Sequence, residues 1–365
     1  MYTEEIVGIA KRENNTKRTY LVVNKLQGKH VPVRPKEALA MFHALAEQVK
    51  QEYGKERLLL IGFAETATAI GAAVAAELDC HYMQTTREQI VDAEFIYFTE
   101  SHSHATEQKL VKEDVQTILP QIDRIVFIED EVTTGNTIAK IVQIIQTNYA
   151  PEMKFGVASI LNGMNKEDYN RYQTQGITPL YLVKTNHSAY AQIAERYEGD
   201  GKYYTLAPKE DIAVTMLHAE GYLNARRLHK SEESKAAVEH LWQQVSESCP
   251  LQQQERLLVL GSEEFMYPAL YVAAKAEGQG AEVRFHATTR SPIAVSSEAD
   301  YPLHARYQLE SLYDKERVTY IYELARYDKV WIITDATESE RQGLNSLITA
   351  VREVGNTEIT VIGWC

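Results

Sequence analysis

VFIEDEVTTGNT, residues 126–137, decides how the rest of the chain is read. Residues 125–128 form a short apolar run suited to a buried parallel strand, and Ile138, Ile141, Val142 and Ile145 recur afterwards at helical spacing. Between strand and helix stand two acids, Glu129 and Asp130, and a small polar turn of Thr133, Thr134, Gly135, Asn136 and Thr137. At the start of such a helix four backbone N–H groups lack intrahelical partners, and the aligned peptide dipoles favour negative charge. A phosphate fits there. Gly135 lets the main chain come close or take a positive φ, the three threonines add hydroxyl donors, and Asn136 adds an amide. Glu129 and Asp130, at the carboxyl end of the strand, accept hydrogen bonds from vicinal hydroxyls, directly or through water on Mg²⁺. Ligands of open α/β sheets bind at that end. The order therefore suits a ribose held at once by its hydroxyls and its 5′-phosphate. Thr-Thr-Gly alone would be an ordinary helix cap, and the chain contains no G-x-x-x-x-G-K-[ST] nucleotide loop.

The chain has 365 residues, 44% of them hydrophobic, which is enough for two cores, and no apolar run approaches a membrane span. The N-terminus MYTEEIVGIAKRENNTKRTY lacks an apolar signal region, and Cys80, Cys249 and Cys365 are scattered without metal spacing, so a cytoplasmic location is expected. A formal charge of −13 without a basic stripe argues against nucleic acid. An anionic ligand must then be held by local donors and a divalent cation, because the general surface field is screened within ~8 Å.

The two halves repeat with an offset of about 200 residues. LAEQV (45–49) matches LWQQV (241–245), ERLLLIG (56–62) matches ERLLVLG (255–261), and QTTREQI (84–90) matches ATTRSPI (287–293). HATEQ (104–108) matches HARYQ (304–308), and DRIVFIED (123–130) matches DKVWIITD (328–335). KFGVASIL (154–161) finds its counterpart in EITVIGWC (358–365). The copies part after the last acid: the second continues Ala336-Thr-Glu-Ser-Glu340-Arg341, whose acids would repel phosphate. The second half is thus expected to share the architecture and to lack the cradle. Residues 162–227, with a strand at PLYLVK and a helix at SAYAQIAERY, have no second copy and suggest a hood or interdomain element.

The 126–137 stretch resembles the phosphoribosyl pyrophosphate (PRPP) loop of type I phosphoribosyltransferases. GFAETAT, FTESHSHAT, IEDEVTTGNT and Thr289-Arg290-Ser291-Pro292 together resemble one group, two-domain proteins of tellurium-resistance and stress-response operons in which such a domain precedes a TRSP domain. The resemblance implies an α/β chain: a phosphoribosyltransferase domain over 1–227 with a parallel sheet and flanking helices, then a degenerate repeat over 228–365. It implies Mg²⁺ as cofactor, PRPP and a small-molecule acceptor as ligands, no nucleic-acid or membrane partner, a homodimer, and operon enzymes as further partners. The implied product is a nucleoside-like metabolite.

By the same resemblance the turn of Ala64, Glu65, Thr66 and Ala67, between a second strand and helix, grips pyrophosphate. A carboxylate there needs Mg²⁺ between itself and the ligand, or must point away. Arg87, past the strand HYMQ, has the planar fork that clamps a leaving pyrophosphate. Glu100, His102 and His104 fall in a hood between two strands, where a histidine titrating near ~6.5 can donate or remove a proton as the loop closes. Thr133 stands where hypoxanthine-type enzymes carry an aspartate, so the base-deprotonating role is vacant and a purine acceptor is disfavoured. The competing function is a non-catalytic PRPP sensor. A PRPP synthetase, which also pairs two such domains, is disfavoured because its intact loop lies in the second.

Overall fold

The computed structural model describes residues 1–16, 18–98, 107–210, 212–336 and 341–365. The chain opens with β1 (Val7–Lys11), β2 (Tyr20–Asn24) and α1 (Pro35–Tyr53). There follow β3 (Leu58–Gly62), α2 (Thr68–Leu78), β4 (His81–Gln84), β5 (Phe95–Tyr97), β6 (Lys109–Val111) and α3 (Lys112–Ile118). Next come β7 (Arg124–Val132), α4 (Asn136–Asn148), β8 (Lys154–Asn162), α5 (Lys166–Thr174), β9 (Pro179–Lys184) and α6 (Tyr190–Glu195). The remainder comprises β10 (Lys202–Thr205), β11 (Thr215–His218), β12 (His229–Lys230), α7 (Ser231–Ser248), β13 (Arg256–Gly261), α8 (Tyr267–Gly278) and β14 (Glu282–Ala287). It ends with β15 (Ala305–Glu310), β16 (Val318–Tyr322), β17 (Lys329–Thr334), α9 (Arg341–Glu353) and β18 (Glu358–Gly363).

These elements form two compact units, each assembled from separate stretches. One is Met1–Glu4, Leu39–Thr185 and Leu223–Ala236; the other is Glu5–Ala38, Asn186–Tyr222 and Ala237–Cys365. The sequence reading places a single boundary between 227 and 228, whereas the chain passes between the units several times. The stretch without a second copy is shared out: β9 closes the first sheet, and β10 and β11 enter sheets of the second unit.

In the first unit the strand order is β12-β4-β3-β7-β8-β9. Leu58, Leu59, Leu60 and Ile61 of β3 are buried, as are the apolar residues of β7, because helices cover both faces and a polar alternation would bury unpaired groups. Pairing from β4 through β9 is parallel. The expectation of a wholly parallel sheet is corrected at one edge: His229 and Lys230 run antiparallel to Tyr82 and His81, so the sheet is mixed. The returning segment caps the open N–H and C=O row of β4, with the Gln84 N–H bonded to Ala225 O and the Ser231 N–H to Cys80 O. It is pinned by Arg227, which grips Asp114 through two hydrogen bonds of 2.7 and 2.8 Å.

The second unit has the order β11-β18-β17-β13-β14, all parallel. Strands β14, β13, β17 and β18 take the places that β4, β3, β7 and β8 hold in the first sheet, so ERLLLIG, DRIVFIED and KFGVASIL fall on strands equivalent to those of ERLLVLG, DKVWIITD and EITVIGWC. The fifth position differs in origin: β9 follows β8 in the chain, but β11 precedes its four neighbours. A side sheet of β10, β15 and β16 and the β1–β2 hairpin complete this unit. The hairpin docks there because Lys11 N–H donates to the Tyr301 hydroxyl at 2.8 Å and Ala294 N–H donates to Lys11 O at 2.9 Å.

Helix α2 sets the height of the turn that leads into it. Its residues are mostly Ala and Gly, so its backbone settles on β3; a Cβ on Gly71 would lie 2.9 Å from both Gly62 Cα and the Tyr82 ring. Tyr82 then donates to Thr68 O at 2.9 Å. Gly71→Ala is expected to lower stability by about 1–3 kcal/mol, since backbone faces it and cannot yield; a urea midpoint equal to wild type would contradict this packing.

Candidate active site

Strand β7 runs on through its acids to Val132, further than the apolar run alone suggests, because β8 is equally long and pairs Glu129 with Ser159 and Glu131 with Leu161. The backbone then turns through Thr133 and Thr134 to Gly135, the N-cap of α4, at φ 69°. Ile138, Ile141, Val142 and Ile145 of α4 are buried, as their spacing requires. Gly135 is demanded twice, by its left-handed φ and by Tyr172, whose hydroxyl would lie 2.3 Å from a Cβ.

Helix α5 explains how this turn presents its amides. Its N-cap Asn165 accepts from Asp168 N–H at 2.8 Å, and Asp168 in turn holds Arg171 at 3.1 Å. Arg171 Nη2 donates to Thr134 O and the Tyr172 hydroxyl donates to Gly135 O, both at 2.5 Å. In a planar trans peptide the N–H opposes the C=O. Drawing these carbonyls toward α5 therefore turns the Gly135 and Asn136 N–H groups away from it, where the Asn136 N–H meets Thr134 Oγ1 at 3.4 Å. Thr134, Asn136 and Thr137 are exposed and Thr133 and Gly135 half-buried, so the turn stands open.

The turn of Ala64, Glu65, Thr66 and Ala67 lies at the same sheet edge, since β3 and β7 are parallel neighbours. The Thr66 hydroxyl donates to Asp130 Oδ1 at 2.7 Å, joining the two turns directly. The Ala64–Glu65 peptide is cis. Ala64 is held on both sides: its N–H donates to Thr85 Oγ1 at 2.8 Å, and its carbonyl accepts from Gln108 Nε2 at 2.8 Å. Thr85 and Gln108 are themselves 3.2 Å apart.

Burial raises the pKa of Glu129 well above the usual carboxylate range, and the neighbouring charges of Asp130 and Glu131 add to the rise while Arg87 opposes it. Arg87, three residues beyond β4, is thus within electrostatic reach of the acids. Three successive carboxylates supply hard oxygen donors in a place where negative charge is crowded, and this donor set fits Mg²⁺, which retains water and substrate phosphate oxygens in its shell. Among the described residues no group of three or more His, Cys, Asp or Glu side chains is placed to hold a metal by itself. Glu100, His102 and His104 lie outside the described residues.

Sequence reasoning passed over Glu131, Arg171, Tyr172, Thr85 and Gln108. Glu131 was visible as a third consecutive acid; the others act by bracing main chain from a distance, and only the fold reveals the contact. Lys184, at the end of β9, was also missed: it donates to Asn162 Oδ1 at 2.8 Å and to Met164 O, and burial lowers its pKa.

A family model described as phosphoribosyl transferase matches residues 6–192, and a model described as the TRSP domain found C-terminal to it matches residues 225–351. Comparison with curated proteins finds no match. Among solved structures, adenine phosphoribosyltransferase from Thermoanaerobacter pseudethanolicus is similar at 14% identity and a TM-score of 0.38, covering 50% of this chain and 97% of the other. The Giardia lamblia enzyme complexed with 9-deazaadenine shows 11% identity and 0.37, covering 50% and 96%. Orotate phosphoribosyltransferase from Aeropyrum pernix shows 14% and 0.33, covering 53% and 96%. With one model spanning just over half of the chain and the other most of the remainder, this chain belongs to the phosphoribosyl transferase family that carries a C-terminal TRSP domain.

Proposed function

We propose that the first unit binds Mg·PRPP and transfers its phosphoribosyl group to a nucleobase-like nitrogen acceptor with release of pyrophosphate, as a step toward a nucleoside-like metabolite. The observation that carries this is the Thr66–Asp130 hydrogen bond, which sets the 64–67 turn against the acids next to an open, braced run of amides. In this reading Thr133, Thr134, Gly135, Asn136 and Thr137 take the 5′-phosphate. Glu129 and Asp130 take the ribose hydroxyls and face Mg²⁺ through water, and Ala64, Glu65, Thr66 and Ala67 with Arg87 take the pyrophosphate. Bound Mg²⁺ supplies neutralisation of the leaving group's charge.

The chain's own residues do the rest by positioning. With phosphate and ribose fixed at two ends, C1 is held for in-line attack; the acceptor nitrogen forms a bond to C1 as the C1–O bond breaks, and the electron pair leaves with pyrophosphate. Arg87 meets that developing charge. Glu100, His102 and His104 are proposed to move the acceptor's proton. Thr133 offers a hydroxyl and no carboxylate, so no base stands at that position to deprotonate the acceptor, which disfavours purines.

The deciding experiment mixes the protein with Mg·PRPP and extracted metabolites, followed by mass and by pyrophosphate release. A ribosylated product with stoichiometric pyrophosphate is expected. PRPP that binds and is never consumed would make the protein a sensor.

Asp130→Asn is expected to weaken Mg·PRPP at least about tenfold, the loss of a charge-assisted contact. The same change removes a like charge beside Glu129. Because the folded pKa of Glu129 is raised from 4.5, the native state binds the extra proton, and stability falls as pH rises from there through the raised value. Asp130→Asn should flatten that fall and raise the apo melting temperature at neutral pH. A variant both less stable and fully competent for PRPP in calorimetry would remove the assignment.

Gly135→Ala is expected to cost more than affinity. The new methyl meets the Tyr172 hydroxyl in a left-handed backbone, so about 1–3 kcal/mol of stability should go with the loss of Mg·PRPP binding. Unchanged thermal and calorimetric behaviour would show that the turn is not built as described.

A further inference from the structure

The second unit has a turn of the same length as the first unit's, with Glu264 at the place of Glu65, and puts a further carboxylate in it. From Gly62 to the start of α2 and from Gly261 to the start of α8 the chain has equal length, so Glu263 stands where Ala64 stands. The surroundings agree. Ala64 N–H donates to Thr85 Oγ1, and Glu263 N–H donates to Thr288 Oγ1 at 3.0 Å. Thr85 N–H bonds to Gly62 O, and Thr288 N–H bonds to Gly261 O. Arg290 follows Thr288 and Thr289 as Arg87 follows Thr85 and Thr86.

Around Glu263 the donors are those an oxyanion takes. Its carboxylate, with no exposed surface, accepts from Arg290 Nε at 2.8 Å, Arg317 Nη1 at 3.0 Å and Ser311 Oγ at 2.5 Å. Both arginine side chains are only 14% and 11% exposed. Glu263 itself sits at φ 47°, in the left-handed region that a glutamate avoids, and the bonds to its carboxylate compensate for that conformation. Nearby positions have changed in the same direction. Phe265 replaces Thr66, Thr334 replaces Glu129, and Asp335, at the place of Asp130, accepts from the Tyr313 and Tyr222 hydroxyls at 2.6 and 2.9 Å.

We infer that the second unit contains an anion seat at the position of the first unit's 64–67 turn, that the carboxylate of its own Glu263 fills it, and that the emptied seat takes a small oxyanion. Two buried guanidiniums need counter-anions, and Glu263 is the carboxylate they share; Glu264, at 3.4 Å from Arg290, and Asp314, at 3.3 Å from Arg317, each serve only one of them. The inference stands on the correspondence of the two turns and does not depend on PRPP being the ligand of the first.

Formate, the detached equivalent of the missing carboxylate, is the probe, with chloride at equal ionic strength as control. In chloride, Glu263→Ala should melt about 10 °C below wild type, because two buried cations lose the carboxylate they share and keep only their longer contacts to Glu264 and Asp314. Formate should then recover at least about half of that deficit with saturation, as a ligand of the native state does. Glu263→Gln fills the space, so formate should give it no more than it gives wild type. An equal formate effect on wild type and Glu263→Ala, or none on either, would overturn the inference. If Glu263→Ala does not fold in chloride, it is refolded from urea in both salts: recovery in formate alone supports the seat, and equal recovery, including none in either, rejects it. Any action of formate on the first unit appears in wild type and is subtracted.

Discussion

Two parallel strands that end side by side carry the first unit. Because β3 and β7 are hydrogen-bonded neighbours running the same way, the turns that leave them emerge at one edge of the sheet, and Thr66 can reach Asp130. Neither turn would constitute a site by itself. One offers small residues and a hydroxyl; the other offers acids, hydroxyls and the amide end of a helix. Their juxtaposition needs no long-range device, only the register of a parallel ladder and two helices, α2 and α4, that pack back on the sheet.

A turn with φ above zero and a run of exposed threonines would be free to fluctuate unless something held it. Helix α5 does this by taking the Thr134 and Gly135 carbonyls, which leaves the opposite face of the same peptides for a ligand. The Ala64 peptide is restrained in a comparable way by Thr85 and Gln108. In both turns side chains direct their hydrogen bonds to main chain, so that main chain is stiff where an anion would be gripped. The crowded carboxylates show the opposite tendency: Glu129 is raised in pKa by burial first and by its acidic neighbours in addition, a local instability that a ligand or cation would relieve.

The second unit shows what the same frame becomes when its charges are satisfied internally. Glu263 joins Arg290 and Arg317, with Glu264 and Asp314 as their further partners, and the acid at the end of β17 is tied to two tyrosines. Strand order is retained while the side chains at the strand ends are replaced, so the architecture has been kept and its side-chain chemistry has not.

The sequence by itself determined the central strands, the strand, turn and helix around 126–137, and the repeat, because these are local: a buried strand must be apolar along its length, a helix face must recur at its own period, and a glycine turn must sit between them. It also carried the family resemblance that the matching models bear out. What only the tertiary structure decided is which distant stretch completes each unit. The β1–β2 hairpin lies early in the chain yet belongs to the second unit; β12 comes late and covers the edge of β4 in the first; and β11 takes the fifth place in a sheet whose other strands follow it. The same holds for Arg171, Tyr172, Thr85 and Gln108, whose value lies in a carbonyl or amide far away in sequence. Edge pairing and bracing are made by main-chain groups that every residue carries, so no side-chain pattern marks them, and only the path of the folded chain selects the partner.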